Sequence, residues 1–164
     1  MPRIVIPDDA PPVMASSAAY RKLLDQTRVD YYDTLPGGED RLIERIAGAE
    51  IVINIRSSTR FTESAFRRSP GLRLLSLWGT GTDNVDLASA ARHGVTVTNT
   101  PGVSAVSIAE HGLALMLAVA RRIPHLHAEV RQGGWPRGQG AQMHGKTLGI
   151  IGLGAVGRQF ARDE

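Results

Sequence analysis

The chain has 164 residues, of which 42% are hydrophobic and 21% are charged, and its formal net charge is +3. This length allows one domain, or one domain and part of another, and the composition is that of a globular protein. The 19 basic and 16 acidic residues are intermingled and form no basic stripe, so we expect no nucleic-acid partner. The chain has no cysteine, which excludes a disulfide framework and a thiolate nucleophile. Its five histidines lack metal-ligand spacing, so we expect no metal site.

The sequence shows no feature that would direct the chain to a membrane. The N-terminus lacks the apolar core of a signal peptide. The longest apolar run, from Gly112 to Ala120, is far shorter than the roughly 20 residues that cross a bilayer. We therefore expect no membrane segment and a cytoplasmic protein.

In the first 100 residues, short apolar runs alternate with helical patterns. Strands are predicted over Arg3–Ile6, Val29–Tyr32, Ile51–Ile55, Leu72–Leu77 and Val95–Thr98. Helices are predicted over Met14–Leu24, Glu39–Ala47, Glu63–Arg68 and Leu87–Arg92. Continuous apolar strands that alternate with helices are typical of a parallel sheet covered on both faces. The predicted fold class is α/β, with a doubly wound parallel sheet over residues 1–100.

The second part of the chain begins with a strongly apolar helical pattern. Ser107 and Glu110 match the capping box S-x-x-E, which predicts a helix that begins at Ser107. This helix has almost no polar face until Arg121, so we expect it to be buried on nearly all sides. A further helix is expected over Pro124–Arg131, with proline at its first position.

The last segment predicts a nucleotide-binding turn. The apolar residues Thr147–Ile151 are expected to form a strand that runs into G-x-G-x-x-G, with glycines at Gly152, Gly154 and Gly157. In this pattern the first glycine permits a tight turn, the second lets the backbone approach a pyrophosphate, and the third lets the helix pack closely on the sheet. The helix N-terminus then offers free N–H groups to the anion. The alternative is an ordinary strand, turn and helix without a ligand.

The acid that contacts the cofactor ribose is expected about 20 residues beyond the last glycine. Asp163 and Glu164 lie too close to Gly157 to serve in this role. We therefore expect the nucleotide-binding unit to be incomplete within these 164 residues, and the choice between NAD and NADP stays open.

Three loops leave the carboxyl edge of the predicted sheet, which is the edge where ligands bind in such folds. The first begins with Arg56 and Ser57, the second contains Thr80 and Gly81, and the third begins at Asn99. A guanidinium beside glycines and free backbone amides predicts a small anion site. Taken singly, Arg56 is equally consistent with a solvated charge, and the glycines with an ordinary turn.

Two acids beside the second loop are expected to be structural. Asp83 is expected in a turn, and Asp86 is expected to cap the following helix.

Taken in order, several motifs resemble one known family. They are I-R-S-S-T, G-T-G-T-D-N-V-D-L, G-V-T-V-T-N-T-P-G, S-I-A-E-H-G-L-A-L-M-L-A-V-A-R-R, G-G-W and G-K-T-L-G-I-I-G-L-G-A-V-G. With these motifs the chain resembles the D-isomer-specific 2-hydroxyacid dehydrogenases, and the similarity is strongest from Ile55 onward.

The resemblance implies a flavodoxin-like substrate domain over residues 1–100. Over residues 101–164 it implies interdomain helices and the first βα unit of an NAD(P)-binding Rossmann domain, with a homodimer as the assembly. Arg56 and Ser57 would lie near the substrate, and the amides of Thr80 and Gly81 would hold the substrate carboxylate beside the nicotinamide. The cofactor-binding residues that the resemblance implies are Thr80, Ser107, Gly152, Gly154, Ala155, Val156 and Gly157.

The resemblance also implies an NAD(P)-dependent oxidoreductase that transfers hydride between the nicotinamide and C2 of a small 2-oxo or 2-hydroxy acid. The family's substrate-binding arginine, proton-exchanging histidine and neighbouring acid come from the later part of the nucleotide domain, and none is in this chain. We therefore expect the N-terminal part of such an enzyme, with no catalytic residue of its own and no activity as these 164 residues. The alternative is a non-catalytic module that binds a small carboxylate or a partner subunit, and not NADH.

Overall fold

The computed structural model describes residues 1–162 of the chain. It divides into two compact units, Met1–Pro101 and the residues from Gly102 onward. Asp163 and Glu164, which were set aside above as ribose-binding acids, lie outside the described residues. Within residues 1–162, no helix is both long enough and apolar enough to cross a membrane.

The first unit is built on a five-stranded sheet. Its strands are β1 (Ile4–Ile6), β2 (Val29–Tyr31), β3 (Ile51–Asn54), β4 (Leu74–Leu77) and β5 (Thr96–Thr98). All neighbouring strands are parallel, in the order β2-β1-β3-β4-β5. This is the flavodoxin-like order, which confirms the predicted α/β fold class. Each strand is one or two residues shorter than predicted. At the end of β3, the Ile55 amide donates to the Asp8 carboxylate and not to a neighbouring strand.

Four short helices connect these strands. They are α1 (Ala18–Leu24), α2 (Glu39–Ile46), α3 (Glu63–Arg67) and α4 (Leu87–Arg92). α1 begins later than predicted because the Ser17 hydroxyl caps it, accepting the Tyr20 amide at 3.0 Å. Asp86 caps α4 by accepting the Ser89 amide at 2.9 Å, and Asp83 lies in a turn, so both predictions are confirmed.

The core of this unit holds the carboxyl edge of the sheet in place. Two apolar clusters contain the buried strand residues. The larger cluster includes Val5, Leu42, Ile46, Val52, Phe61, Phe66, Leu75 and Leu77, and the smaller one is Ile6, Met14 and Ile55. Burying each large apolar side chain contributes about 1.5–3 kcal/mol, so the strands are firmly fixed and the loops that follow them start from rigid points.

The second unit contains three helices in its described residues. They are α5 (Ala105–Ala120), α6 (Ile123–Arg131) and α7 (Ala155–Phe160). The prediction that the first of these begins at Ser107 is wrong by two residues. Ser104 is the N-cap residue, because the chain already turns at this point and the Ala105 amide donates to the Gly102 carbonyl at 3.1 Å. Ser107 is therefore exposed in the first turn of α5.

The apolar helix α5 is far less buried than predicted. Ala109 is its one buried residue, while Ile108, Leu115 and Val119 are all about half exposed or more. A helix that is apolar on every side needs neighbours around its whole circumference. In the described part of this unit, α5 packs against α6 and α7, and these two short helices cover only part of it.

The predicted strand Thr147–Ile151 is also wrong. No strand is found in this segment of the described residues, and the side chain of Ile151 is fully exposed. A strand is held by hydrogen bonds to a neighbouring strand, and none is available here.

The glycine turn before α7 has the geometry that its sequence requires. Gly152 has φ +93°, which is strained for any residue with a side chain. A Cβ atom at Gly157 would overlap the Gly152 carbonyl oxygen. At Gly154, by contrast, a Cβ atom would meet nothing within 4 Å among the described residues. Two of the glycines are thus needed for the fold of the turn, while space is left open at the third.

Substituting alanine at Gly157 and at Gly154 should have different consequences for stability. We expect Gly157→Ala to destabilise the turn by about 1–3 kcal/mol, the usual cost of overpacking, and to speed amide hydrogen exchange in α7. Gly154→Ala, the matched control, should leave exchange in α7 unchanged because its methyl group meets no atom. Equal exchange rates in the two variants would contradict this account of the turn.

Candidate functional site

In the first unit, a ligand-binding site is expected at the carboxyl edge of the sheet. β2 lies on one side of β1 and β3 lies on the other, so the direction in which strands are added to the sheet reverses at β1. In folds of this order, ligands bind in the crevice at this reversal, between the loops that follow β1 and β3. Asp8 and Asp9 lie in the first of these loops, and Arg56 and Ser57 lie in the second.

Asp8 fixes the start of the loop after β3. Its carboxylate is completely buried and accepts the Ile55 amide at 2.9 Å and the Arg56 amide at 3.2 Å. The side-chain amide of Asn54 donates to the same carboxylate. Burial raises the pKa of Asp8 above its ordinary value, although these hydrogen bonds favour the charged form. The position of Arg56 along the edge is therefore set by a carboxylate from the loop after β1.

Asn84 joins the loops after β3 and β4. Its buried side-chain amide donates to the Asn54 Oδ1 at 3.0 Å and to the Thr59 carbonyl at 2.8 Å. The backbone carbonyl of Asn84 accepts the Phe61 amide at 2.8 Å. Buried polar groups are costly unless they are satisfied, so these hydrogen bonds favour one arrangement of the two loops.

Asp9 is held by several donors at once. Its carboxylate is buried and accepts the Val13 amide at 2.9 Å, the Met14 amide at 2.8 Å and the Tyr31 hydroxyl at 2.8 Å. Burial by itself would raise the pKa of Asp9. The hydrogen bonds from Met14, Val13 and Tyr31, together with the charge of Arg56, outweigh this effect and lower it. Asp9 is therefore a fixed negative charge at the reversal point of the sheet.

Arg56 is not a solvated strand-end charge. Its Nη2 lies 3.7 Å from the Asp9 Oδ1 and donates to the Pro11 carbonyl, and its side chain is 28% exposed. Its Nε is buried and has no hydrogen-bond partner among residues 1–162. The guanidinium is thus partly enclosed at the edge of the sheet, with one edge turned towards Asp9.

Ser57 and Gly81 are brought together by the fold. Both line a cleft of about 250 Å³ whose other walls are Arg60, Asp83 and Asn84. The residues of this cleft come from the loops after β3 and β4, which are neighbouring strands of the sheet.

Thr80, next to this cleft, is held in place by the loop after β5. Its carbonyl accepts the Asn99 side-chain amide at 2.8 Å, and its hydroxyl donates to the Thr100 carbonyl at 3.3 Å. The backbone amides of Thr80 and Gly81 donate to no acceptor in the described part of the chain. Two neighbouring free N–H groups on a fixed loop are suited to bind a carboxylate.

A larger cleft of about 440 Å³ lies between the loops after β2 and β3. Its walls include Leu35, Pro36 and Leu42, with Glu39 and Arg60 among its charged residues. Charge does not distinguish the two clefts, because each is lined by one acid, Glu39 in the larger and Asp83 in the smaller, and both include Arg60. The smaller cleft is the better candidate for a carboxylate because it lies beside the two free amides.

The residues expected to bind cofactor lie in the second unit, apart from Thr80. Gly154 is the N-cap residue of α7, and no side chain in the described residues bonds to this helix start. Ala155 and Val156 form the first turn of α7, where backbone N–H groups have no partner within the helix. Gly152 and Gly157 shape the turn as described above, and Ser107 lies in the first turn of α5.

Four residues that hold the site together are not predicted from the sequence, namely Asp8, Asp9, Asn54 and Asn84. A signal was present, because two acids directly after an apolar strand fall at the carboxyl edge of a parallel sheet. Each of them also contacts a residue more than 20 positions away, however, and spacing along the chain does not reveal such contacts.

The fold and the glycine turn together indicate an α/β protein of the class that binds nucleotides and small acids. A profile of the family described as "D-isomer specific 2-hydroxyacid dehydrogenase, catalytic domain" matches residues 10–159. The chain therefore belongs to the D-isomer specific 2-hydroxyacid dehydrogenase family, whose members are NAD(P)-dependent oxidoreductases of small 2-hydroxy acids. The resemblance drawn from the motifs is confirmed.

Curated relatives support this assignment over part of their length. The chain is 37% identical to a D-3-phosphoglycerate dehydrogenase of Methanocaldococcus jannaschii, over 76% of this chain and 24% of the relative. It is 36% identical to the Homo sapiens D-3-phosphoglycerate dehydrogenase, over 86% of this chain and 27% of the relative. The chain thus spans about a quarter of the length of these relatives.

Solved structures show the same architecture. A phosphoglycerate oxidoreductase from Vibrio cholerae matches with a TM-score of 0.79 and 30% identity, over 99% of this chain and 52% of that one. A D-isomer specific 2-hydroxyacid dehydrogenase from Polaromonas, described as NAD-binding, matches with a TM-score of 0.88 and 25% identity, over 99% of this chain and 51% of that one. An acyclic imino acid reductase in complex with NADPH matches with a TM-score of 0.81 and 26% identity, over 98% of this chain and 52% of that one.

The contact between Tyr31 and Asp9 should be visible in a pH titration. Burial and the hydrogen bond to Asp9 raise the pKa of Tyr31 to about 12, because both disfavour the phenolate. When the ring signals of Tyr31 are followed by NMR in the folded protein, we expect this tyrosine to ionise near pH 12. Because its folded pKa is raised, its contribution to stability is complete below about pH 10, the ordinary value, and is lost as the pH rises to about 12.

Asp9→Asn, which removes the negative charge, should move the pKa of Tyr31 back towards its ordinary value. Ionisation of Tyr31 near pH 10 in the folded wild-type protein would contradict the contact.

Proposed function

We propose that this chain supplies the carboxylate cradle and the first pyrophosphate contacts of an NAD(P)-dependent oxidoreductase acting on the CH–OH group of D-2-hydroxy acids. Residues 1–100 form the substrate domain. Residues 101–164 form interdomain helices and the first βα unit of the nucleotide domain. The observation that carries this proposal is the pair of free amides at Thr80 and Gly81, beside a cleft that also contains Ser57.

The substrate is a small 2-oxo or 2-hydroxy acid bound by its carboxylate. The amides of Thr80 and Gly81 donate to the carboxylate oxygens, Ser57 lines the same cleft as Gly81, and Arg56, next to Ser57 in the chain, supplies positive charge. Charge-assisted hydrogen bonds of this kind contribute about 1.5–3 kcal/mol each, so two or three suffice for a small ligand. The fixed loops favour binding because little has to be ordered when the acid arrives.

The cofactor is NAD or NADP, bound at the start of α7. The open space at Gly154 fits the close approach of a pyrophosphate, which a side chain would obstruct. The amides of Ala155 and Val156 then face the anion, with Gly152 and Gly157 shaping the turn, and Thr80 and Ser107 are the further contacts. When bound, the cofactor supplies hydride to C2 of the 2-oxo acid, and one proton is taken up as the 2-hydroxy acid forms.

Proton transfer requires residues outside this chain. The arginine, the histidine and its acidic partner that the family resemblance implies are not found in residues 1–164. The 164-residue chain therefore binds substrate without turning it over. The exposed apolar side chains of α5 are suited to a partner surface, which supports a homodimer of the complete enzyme.

A non-catalytic carboxylate-binding module is the second candidate. It is favoured by one observation, namely that the predicted cradle lies entirely within the first unit, which has its own core. The two functions differ in the role of the glycine turn, because a module of this kind would bind a 2-oxo acid and not NADH.

Calorimetry with glyoxylate and NADH separates these functions. We expect the wild-type chain to bind both ligands without consuming NADH. Arg56→Met should weaken glyoxylate binding about tenfold or more, the equivalent of one lost charge-assisted hydrogen bond. Gly154→Val should weaken NADH binding alone, because the side chain fills the space left for the pyrophosphate.

Arg41→Met, an exposed arginine on α2, is the charge-matched control and should change neither affinity. Glyoxylate binding without NADH binding would favour the non-catalytic module. Absence of glyoxylate binding, or an equal effect of Arg41→Met and Arg56→Met, would contradict the proposed cradle.

A further inference from the structure

Asp9 and Arg56 face each other at the reversal point of the sheet. We propose that Asp9 is a positioning residue, which holds the Arg56 guanidinium in the orientation that binds the substrate carboxylate. This inference rests on the proposed function, because it takes Arg56 to be a substrate-binding residue. It adds a residue on a different loop whose role is to orient that arginine.

Asp9 is suited to this role because it cannot move. The Val13 and Met14 amides and the Tyr31 hydroxyl hold its carboxylate without any help from Arg56. Its oxygens are therefore satisfied even when the arginine is absent. A carboxylate that is bonded this well keeps both its charge and its position, and it can serve as a fixed reference point for a long, flexible side chain.

The contacts of Arg56 define which part of the guanidinium is held. Nη2 lies 3.7 Å from the Asp9 Oδ1 and also donates to the Pro11 carbonyl. Nε, on the same edge of the planar group, is buried and has no partner among residues 1–162. The guanidinium edge formed by Nε and Nη2 is thus turned inward. Nη1, which makes no hydrogen bond to a described residue, is left for a ligand.

The ion pair itself is loose, and this is consistent with a role in orientation. At 3.7 Å between Nη2 and Oδ1 it is longer than a strong charge-assisted hydrogen bond, for which about 2.7–2.9 Å is usual. An arginine side chain loses much conformational freedom when it is fixed. Because Asp9 and Pro11 already limit that freedom, less is lost when a carboxylate binds, and the affinity is higher.

Asp9 could also act in the opposite way, by competing with the substrate for Arg56. Orientation and competition predict changes of opposite sign in the anion affinity of Asp9→Asn. If Asp9 competed with the substrate for the guanidinium, removing its charge would release Arg56 and strengthen anion binding. If Asp9 orients the guanidinium, removing its charge weakens binding. The measured direction of the change therefore decides between orientation and competition.

The test is calorimetric titration of the 164-residue chain with oxalate, a planar carboxylate probe, in a double-mutant cycle. We expect Asp9→Asn to weaken oxalate binding by about three- to tenfold, the size of one loosened hydrogen-bond contact. In an Arg56→Met background, Asp9→Asn should have no further effect, because there is no guanidinium left to orient. A purely structural role for Asp9 would lower the affinity in both backgrounds.

Tyr31→Phe is the matched control. It removes one hydrogen bond to the Asp9 carboxylate, and the Val13 and Met14 amides are left to hold the charged group. We expect this variant to keep the wild-type oxalate affinity. An effect as large as that of Asp9→Asn would assign the loss to packing around Asp9 and would overturn the inference.

A second measurement does not depend on the folding of Asp9→Asn. In the wild-type chain, the buried Nε–H of Arg56 should give a resolved NMR signal with slow solvent exchange, as expected for an ordered guanidinium. An exchange rate equal to that of the exposed Arg41 would overturn the proposed orientation.

The outcomes also separate this inference from the proposed function. If Arg56→Met weakens oxalate binding while Asp9→Asn leaves it unchanged or strengthens it, the cradle stands and the positioning role of Asp9 is wrong. If Arg56→Met has no effect, Arg56 is not a substrate ligand and both are wrong.

Discussion

The Asp8 carboxylate, buried just beyond the end of β1, accepts the amides of Ile55 and Arg56 at the point where β3 gives way to its loop. An isolated buried carboxylate is costly, and removing its partners would leave an uncompensated charge. The loop after β3 therefore cannot move away without a large penalty. The positions of Arg56 and Ser57, and through Asn54 and Asn84 the position of the loop after β4, all depend on this one interaction.

A site built this way needs little rearrangement to bind an acid. The buried core residues fix the positions of the strand ends. Hydrogen bonds from polar side chains then join the loops that follow the strands. The loop after β5 bonds to the Thr80 carbonyl and hydroxyl, while the amides of Thr80 and Gly81 have no acceptor among the described residues. The anion-binding role that we propose for this edge depends on those two amides. The second unit adds the glycine turn, whose shape is set by Gly152 and Gly157.

The sequence predicted those parts of this molecule that depend on local patterns. The strands and helices of residues 1–100 were found because apolar runs, caps and glycine stops act over a few residues, as at Asp86. The expectations for Ser107 and for Thr147–Ile151 failed because each depended on neighbours. A capping box is displaced when the chain turns earlier, and a strand needs a partner strand. The contacts of Asp8, Asp9, Asn54 and Asn84 join distant loops, and no spacing rule along the chain could have found them.

The central claim is that the loops after β3 and β4 form a carboxylate cradle. The most direct test is a titration of the ¹⁵N-labelled chain with glyoxylate, followed by NMR of the backbone amides. The account predicts that the amide signals of Ser57, Thr80 and Gly81 shift together along one binding curve. Unchanged signals at Thr80 and Gly81, with shifts confined to the larger cleft around Leu35 and Leu42 or absent altogether, would contradict it.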